Sequence, residues 1–168
     1  MSSIEHPGVR KVVAALAEAG LPAAAEAVRV LEADVRTAAQ AAEAVGVDVG
    51  AIANSLVFDA GSTPLLALTS GAHRADTALL ASAIGVAAVG RATPDFVRTH
   101  TGQPIGGVSP VGHPAPITTL IDASLAEHPV IWAAAGHPKA LFPITFAELV
   151  TLTGGRVLDV AEAGGARR

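Results

Sequence analysis

The sequence predicts an α+β domain with a mixed, largely antiparallel sheet. Three observations carry this. Strand-like segments outnumber helical ones. They cluster in hairpin-like pairs as well as around helices. No linker or solenoid-period repeat divides the 168 residues. A chain of this length is expected to fold as one domain, 1–168, burying about 70% of its extended surface.

The elements follow from local chemistry. Residues 5–19 read as a helix, with Pro7 in its first turn and Val9, Val12, Val13, Leu16 and Ala19 at helical spacing. Gly20-Leu21-Pro22 stops it, and Val28–Leu31 alternates like a short strand. Thr37 is a natural N-cap for a helix over Ala38–Val45, stopped by Gly46. Ile52–Phe58 and Leu65–Thr69 form a hairpin around the turn cluster Asp59–Pro64. Asp76–Ile84 reads as a helix closed by Gly85, and Val86–Val89 as a short strand. Thr93-Pro94 opens a helix to about Thr101. Strands are expected at Ile117–Ile121, Val130–Ala134, Leu141–Ile144 and Arg156–Val160. A helix runs from Thr145 to Leu152 before Gly154-Gly155, and the tail 162–168 is expected to fray.

Composition excludes several classes of function. Zero Cys removes disulfides, thiolate nucleophiles and Cys-type metal sites. No apolar run approaches the roughly 20 residues needed to span a bilayer, and no signal peptide is visible, so a cytoplasmic protein without a membrane partner is expected. The net charge of −4 argues against general nucleic-acid binding, although 9 Arg and 2 Lys leave room for a local basic patch. Aromatics are 3% and Ala is 37 of 168, so the core must be built from Val, Ile, Leu and Ala.

The motifs name no strong nucleophile or metal. The six His show no i, i+4 pairing and no HExxH, so metal: none. Gly102–Pro116, with four Gly and four Pro, is too rich in turn formers for a simple connector and reads as a functional loop. Within it, Gly106–Gly112 has the spacing of neither a nucleophile elbow nor a phosphate-binding Walker loop. Its glycines let backbone approach a ligand closely. Gly-His-Pro occurs at Gly112–Pro114 and Gly136–Pro138. Either two loops meet at one cleft, with His113 or His137 as a general base, or two turns share turn-forming residues.

The order of the motifs carries more than any one of them. Ile52–Phe58 is followed by Ser70-Gly71-Ala72-His73-Arg74-Ala75-Asp76, then Thr101–Gly112, Ile121-Asp122-Ala123-Ser124-Leu125, and Ala134–Lys139. In this series the chain resembles the YbaK/prolyl-tRNA-synthetase-associated domain family of trans-editing aminoacyl-tRNA deacylases over residues 25–160. The resemblance implies a sheet curled into a barrel-like form with surrounding helices. It implies a hydrolase of the ester joining a mischarged amino acid to tRNA, with no cofactor. Its partner is the aminoacylated 3′ end, with or without a synthetase; the oligomeric state is left open. An aminoacyl ester is already activated, so glycine-loop N–H groups aimed at the developing oxyanion can stand in for a covalent nucleophile. Carried over residue by residue, the catalytic positions are Asn54, Gly107 and Ser109. The substrate-binding ones are Gly106, Val108, Pro110, Gly112, Gly136, His137 and Arg74.

One position departs from the family. Asn54 stands where the family usually carries Lys, and Asn donates a hydrogen bond without a charge. An altered contact, a replacement cation such as Arg74 or Lys139, or loss of hydrolysis all fit. The last makes a non-hydrolytic module for aminoacyl-tRNA ends, or for a small amino-acid-like ligand, the alternative reading.

Overall fold

The computed structural model describes residues 6–35 and 37–161. In chain order it contains α1 (Pro7–Glu18), α2 (Pro22–Glu26), β1 (Arg29–Val30), α3 (Ala38–Val45), β2 (Ile52–Asp59), β3 (Pro64–Ser70), α4 (Thr77–Ile84), β4 (Gly90–Arg91), α5 (Pro94–Thr101), β5 (Thr118–Asp122), β6 (Ile131–Ala134), β7 (Ala140–Ile144), α6 (Phe146–Thr153) and β8 (Arg156–Leu158). Short 3-10 turns occupy Val49–Ala51 and Ala123–Glu127. The expected helix start at Glu5 and the tail 162–168 lie outside the described residues.

Helix ends follow the caps. The hydroxyls of Thr37, Thr93 and Thr145 accept the N–H groups of Gln40, Phe96 and Glu148, and Glu148 returns the bond to Thr145 in a capping box. Two expectations fail. Pro22 does not only stop α1; it starts α2 at a first-turn position, where its missing N–H costs nothing. The short strand is not Val86–Val89 but Gly90–Arg91, because a strand exists only where a partner edge receives it, here Phe58 and Asp59 of β2.

The strands form one ladder in the order β1-β7-β6-β2-β3-β5-β8, with β4 also on β2. Four pairings are antiparallel (β1·β7, β6·β7, β2·β3, β2·β4) and three parallel (β2·β6, β3·β5, β5·β8). The ladder's ends, β1 and β8, do not pair, so the sheet is not closed by hydrogen bonds as a strict barrel would be.

Both faces are covered where the sheet is thickest. In β3, Leu65, Leu66, Ala67 and Leu68 are all fully buried, the continuous apolar run of a strand covered on two sides. Leu66 and Leu68 join the main core with Val9, Val12 and Leu16 of α1. Leu65 and Ala67 face the other way onto Leu80 and Ala81 of α4. At the other end of the sheet, Ala41 and Ala42 of α3 cover Ile52 and Leu141.

Candidate functional site

The sheet has a gap beside β2. The edge of β2 away from β3 pairs with β6 at Ile52 and Ala53, and with β4 at Phe58 and Asp59. Among the described residues no strand pairs it between Asn54 and Val57. The Gly71 N–H donates to Ile52 O at 2.8 Å, so alternation along the ladder turns the backbone groups of Ser55 and Val57 toward the gap. A cavity of about 700 Å³ opens there, within the range of small-ligand sites. Its wall is mostly apolar, with Thr37, Asn54, Ser55 and Arg91 as the polar side chains. Ser55 Oγ is buried and without a hydrogen-bond partner.

The glycine loop forms the opposite wall, but only in part. Gly106 and Val108 line the cavity. Gly107, Ser109 and Pro110 are buried outside the lining. The main-chain donors divide the same way. Gly107 N–H donates to Pro104 O at 2.9 Å, Ser109 N–H to Gln103 Oε1 at 2.7 Å, and Val111 N–H to Ser109 Oγ at 3.2 Å. The N–H groups of Gly106 and Val108 have no acceptor among the described residues. Gln103 causes this division. Its buried amide is folded back under the loop, where Nε2 also donates to Val111 O at 3.1 Å.

The remaining site positions lie elsewhere. A Cβ on Gly107 would sit 2.7 Å from the His137 carbonyl carbon, so the close approach of two backbones requires glycine here, outside the cavity lining. Gly136 packs in the same manner, its pro-Cβ position 2.5 Å from Gly8 O at the start of α1. Gly112 has φ +86 and rests on Gln103. His137 borders a separate shallow depression with Glu32, Asp34 and Lys139. Its ring meets His6 edge-on at 4.5 Å, and its Nδ1 accepts the Lys139 N–H. Burial, then His6, lower its pKa, with Asp34 opposing and Lys139 adding to the fall. Arg74 is exposed outside the cavity. Asn54, Ser109 and His137 therefore do not converge on one cleft.

Neither histidine of the Gly-His-Pro turns lines the cavity. His113 donates from Nε2 to Ser109 O at 2.7 Å, and burial lowers its pKa despite that bond. Among the described residues no group of three or more His, Cys, Asp or Glu is arranged to hold a metal ion. No described helix is long and apolar enough to cross a membrane.

The 70–76 and 121–125 motifs meet at a second polar cluster. Asp122, 1% exposed, accepts the Ser70 N–H at 3.0 Å and His73 Nδ1 at 2.8 Å on one oxygen, and the Ser124 N–H and Oγ on the other. Every acceptor position faces a donor, which makes Asp122 a clamp on the loop after β3. Sequence reasoning missed Ser55, Arg91 and Gln103. Only Gln103 left a signal, as the sole amide side chain within the Gly/Pro-rich loop.

The chain matches the model of the aminoacyl-tRNA editing domain over residues 32–152. Its fold is similar to a crystal structure described as a candidate trans-editing enzyme for prolyl-tRNA synthetase. The two are 43% identical with a TM-score of 0.87, covering 93% of this chain and 98% of that one. A scaffold protein used in computational epitope grafting is similar at 39% identity and a TM-score of 0.86, covering 93% of this chain and 98% of that one. The YwhH protein of Bacillus subtilis (strain 168), of uncharacterized function, is 30% identical over 128 residues, 75% of this chain and 81% of its own length. The extent of these matches and the order of the motifs agree: the chain belongs to the aminoacyl-tRNA editing domain family, the YbaK-like group that its sequence resembles.

Proposed function

We propose that the protein hydrolyses, in trans, the ester of a mischarged aminoacyl-tRNA. The observation that carries this reading is that, among the described residues, the N–H groups of Gly106 and Val108 in the cavity wall are uncommitted, as is that of the lining residue Ile105, while those of Gly107 and Ser109 are bonded within the loop. Uncommitted main-chain donors in the wall of a mostly apolar cavity suit the oxygen of an ester carbonyl as charge develops on it, each contributing ~3 kcal/mol when aimed at it. Gly107 and Ser109 then act as supports that hold this register rather than as catalytic groups. Ser109 is no nucleophile in this reading, because it is fully buried and its Oγ already accepts the Val111 N–H.

The described lining offers no His, Asp, Glu or Lys as a general base. Attack by water falls instead to positioning by the substrate's own neighbouring ribose hydroxyl, with Asn54 as a neutral hydrogen-bonding group beside it and the Ser55 hydroxyl, on the other face of β2, as a second polar contact. The test is incubation with a panel of tRNAs mischarged with small amino acids. Ester release well above the buffer rate for at least one is expected; none for any would overturn the reading.

A second reading, a non-hydrolytic module for aminoacyl-tRNA ends or a small amino-acid-like ligand, draws on Asn54 itself, a neutral amide where a cation is usual. It expects Asn54→Lys to create deacylase activity in an inactive wild type. Full wild-type activity would exclude it.

A further inference from the structure

The cavity wall carries one charge. Among its described lining residues Arg91 is the single ionisable side chain. Arg91 is exposed on β4, opposite Phe58, and makes no ion pair or hydrogen bond among the described residues. Asp59, next to its strand partner Phe58, and Asp95, four residues on in the chain, form no ion pair with it. Asp59 Oδ1 accepts the Ser62 N–H at 2.6 Å in the β2–β3 turn, and Asp95 is exposed in the first turn of α5, outside the lining. The two cations weighed as replacements for the missing Lys, Arg74 and Lys139, are not in the cavity at all.

We infer that Arg91 anchors a phosphate of the tRNA 3′ end at the rim of the cavity; this rests on the deacylase reading. A guanidinium pairs with phosphate oxygens through two parallel N–H bonds, and an unpartnered one at a mostly apolar rim is suited to an oxyanion. A free amino acid also offers an oxyanion, and the binding of free alanine is therefore an arm of the test below. An aminoacyl ester has no carboxylate, so the phosphate is the anion left. Arg91 lies opposite a residue four positions along β2 from Asn54, roughly 13 Å of strand, which separates an acyl end from a phosphate end. With a net charge of −4 the chain has no overall attraction for RNA, so local cations would carry it.

Two probes separate the sources: a minihelix RNA ending in CCA with alanine attached to the terminal ribose by an amide, and the same alanyl-amide on adenosine alone, which has no phosphate. Binding is measured by calorimetric titration across a salt series. For the minihelix, Arg91→Ala is expected to weaken Kd by about ten- to a hundredfold. It should also flatten the slope of log Kd against log salt by roughly 0.7–1. The adenosine probe should bind both proteins alike. Arg91→Lys should keep the salt slope with a partial loss of affinity. Equal losses on both probes, an unchanged slope, or Arg91-dependent binding of free alanine would each overturn the inference. Minihelix binding that is unaffected in Arg91→Ala removes the anchor and leaves the deacylase reading standing. A wild type that neither binds the minihelix nor hydrolyses any mischarged tRNA removes both.

Discussion

The cavity beside β2 and the cluster around Asp122 are both polar places on one sheet, and they differ in what their groups have left to give. Around Asp122 each carboxylate oxygen meets donors from Ser70, His73 or Ser124. In the cavity, the N–H groups of Gly106 and Val108, the Ser55 hydroxyl and the Arg91 guanidinium have no partners among the described residues. A network whose members satisfy one another rigidifies a fold. Of the cavity's groups, the Ser55 hydroxyl and the Val108 N–H belong to buried positions, where a group left without a partner costs about 1–3 kcal/mol, while Gly106 and Arg91 are exposed and open to a ligand. The His73–Asp122–Ser124 cluster contains the residue types of a hydrolytic triad, yet Ser124 and Asp122 both approach the same ring nitrogen, Nδ1, so no serine is poised against Nε2.

The sharpest way to break this comparison is to undo the support of the loop. Gln103 is 1% exposed, and its amide holds both Ser109 N–H and Val111 O. Gln103→Leu leaves a buried donor and a buried acceptor unsatisfied. Thermal unfolding should show a loss of about 2–4 kcal/mol. Deacylation should fall further than the loss of folded protein explains, because Gly106 and Val108 lose their register. Unchanged activity in the folded fraction would mean that the loop does not organise the site.

Asp122→Asn attacks the other side of the comparison. One oxygen becomes an NH₂ facing donors, so urea titration should report about 1–3 kcal/mol lost. Asp122 is outside the cavity, so kcat/KM per folded molecule should stay within about threefold of wild type. A larger fall would show that the cluster takes part in the chemistry.

How much of this was legible in the sequence depended on how local each cause is. The helices over α3, α5 and α6 could be read because Thr37, Thr93 and Thr145 cap them and Gly46, Gly102 and Gly154 end them in left-handed turns. β4 could not, because Gly90-Arg91 is a strand only through the β2 edge beside it, and Arg91 reaches the cavity by the same pairing. Asn54, Gly106 and Val108 stood out by motif. That Gly107 and Ser109 turn inward was not readable, because it depends on Gln103 folding back beneath them.

His113 gives a smaller effect with a defined sign. Burial lowers its folded pKa below the usual 6.5, with the Ser109 carbonyl bond opposing. The unfolded chain therefore takes up the proton first as pH falls. The stability His113 contributes is full above about 6.5 and is lost as pH drops from there through the lower folded value. His113→Gln should remove that part of the acid slope when unfolding free energy is followed between pH 7 and 5. A wild-type curve parallel to the variant's would contradict the burial argument.

The smallest expected change in stability tests the comparison most directly. Ser55 Oγ is the one buried side-chain polar atom without a partner among the described residues. Removing a satisfied hydroxyl from a strand lowers stability by about 0.5–1.5 kcal/mol. Removing one with no partner relieves its desolvation, so Ser55→Ala should leave Tm unchanged or slightly raised. If the hydroxyl bonds the substrate in the cavity, the same change should lower kcat/KM by roughly two- to tenfold, the worth of one neutral hydrogen bond. The two readouts then move in opposite directions, which no purely structural serine does. A fall in Tm with unchanged kcat/KM would move Ser55 to the side of Asp122 and leave the cavity without its innermost polar contact.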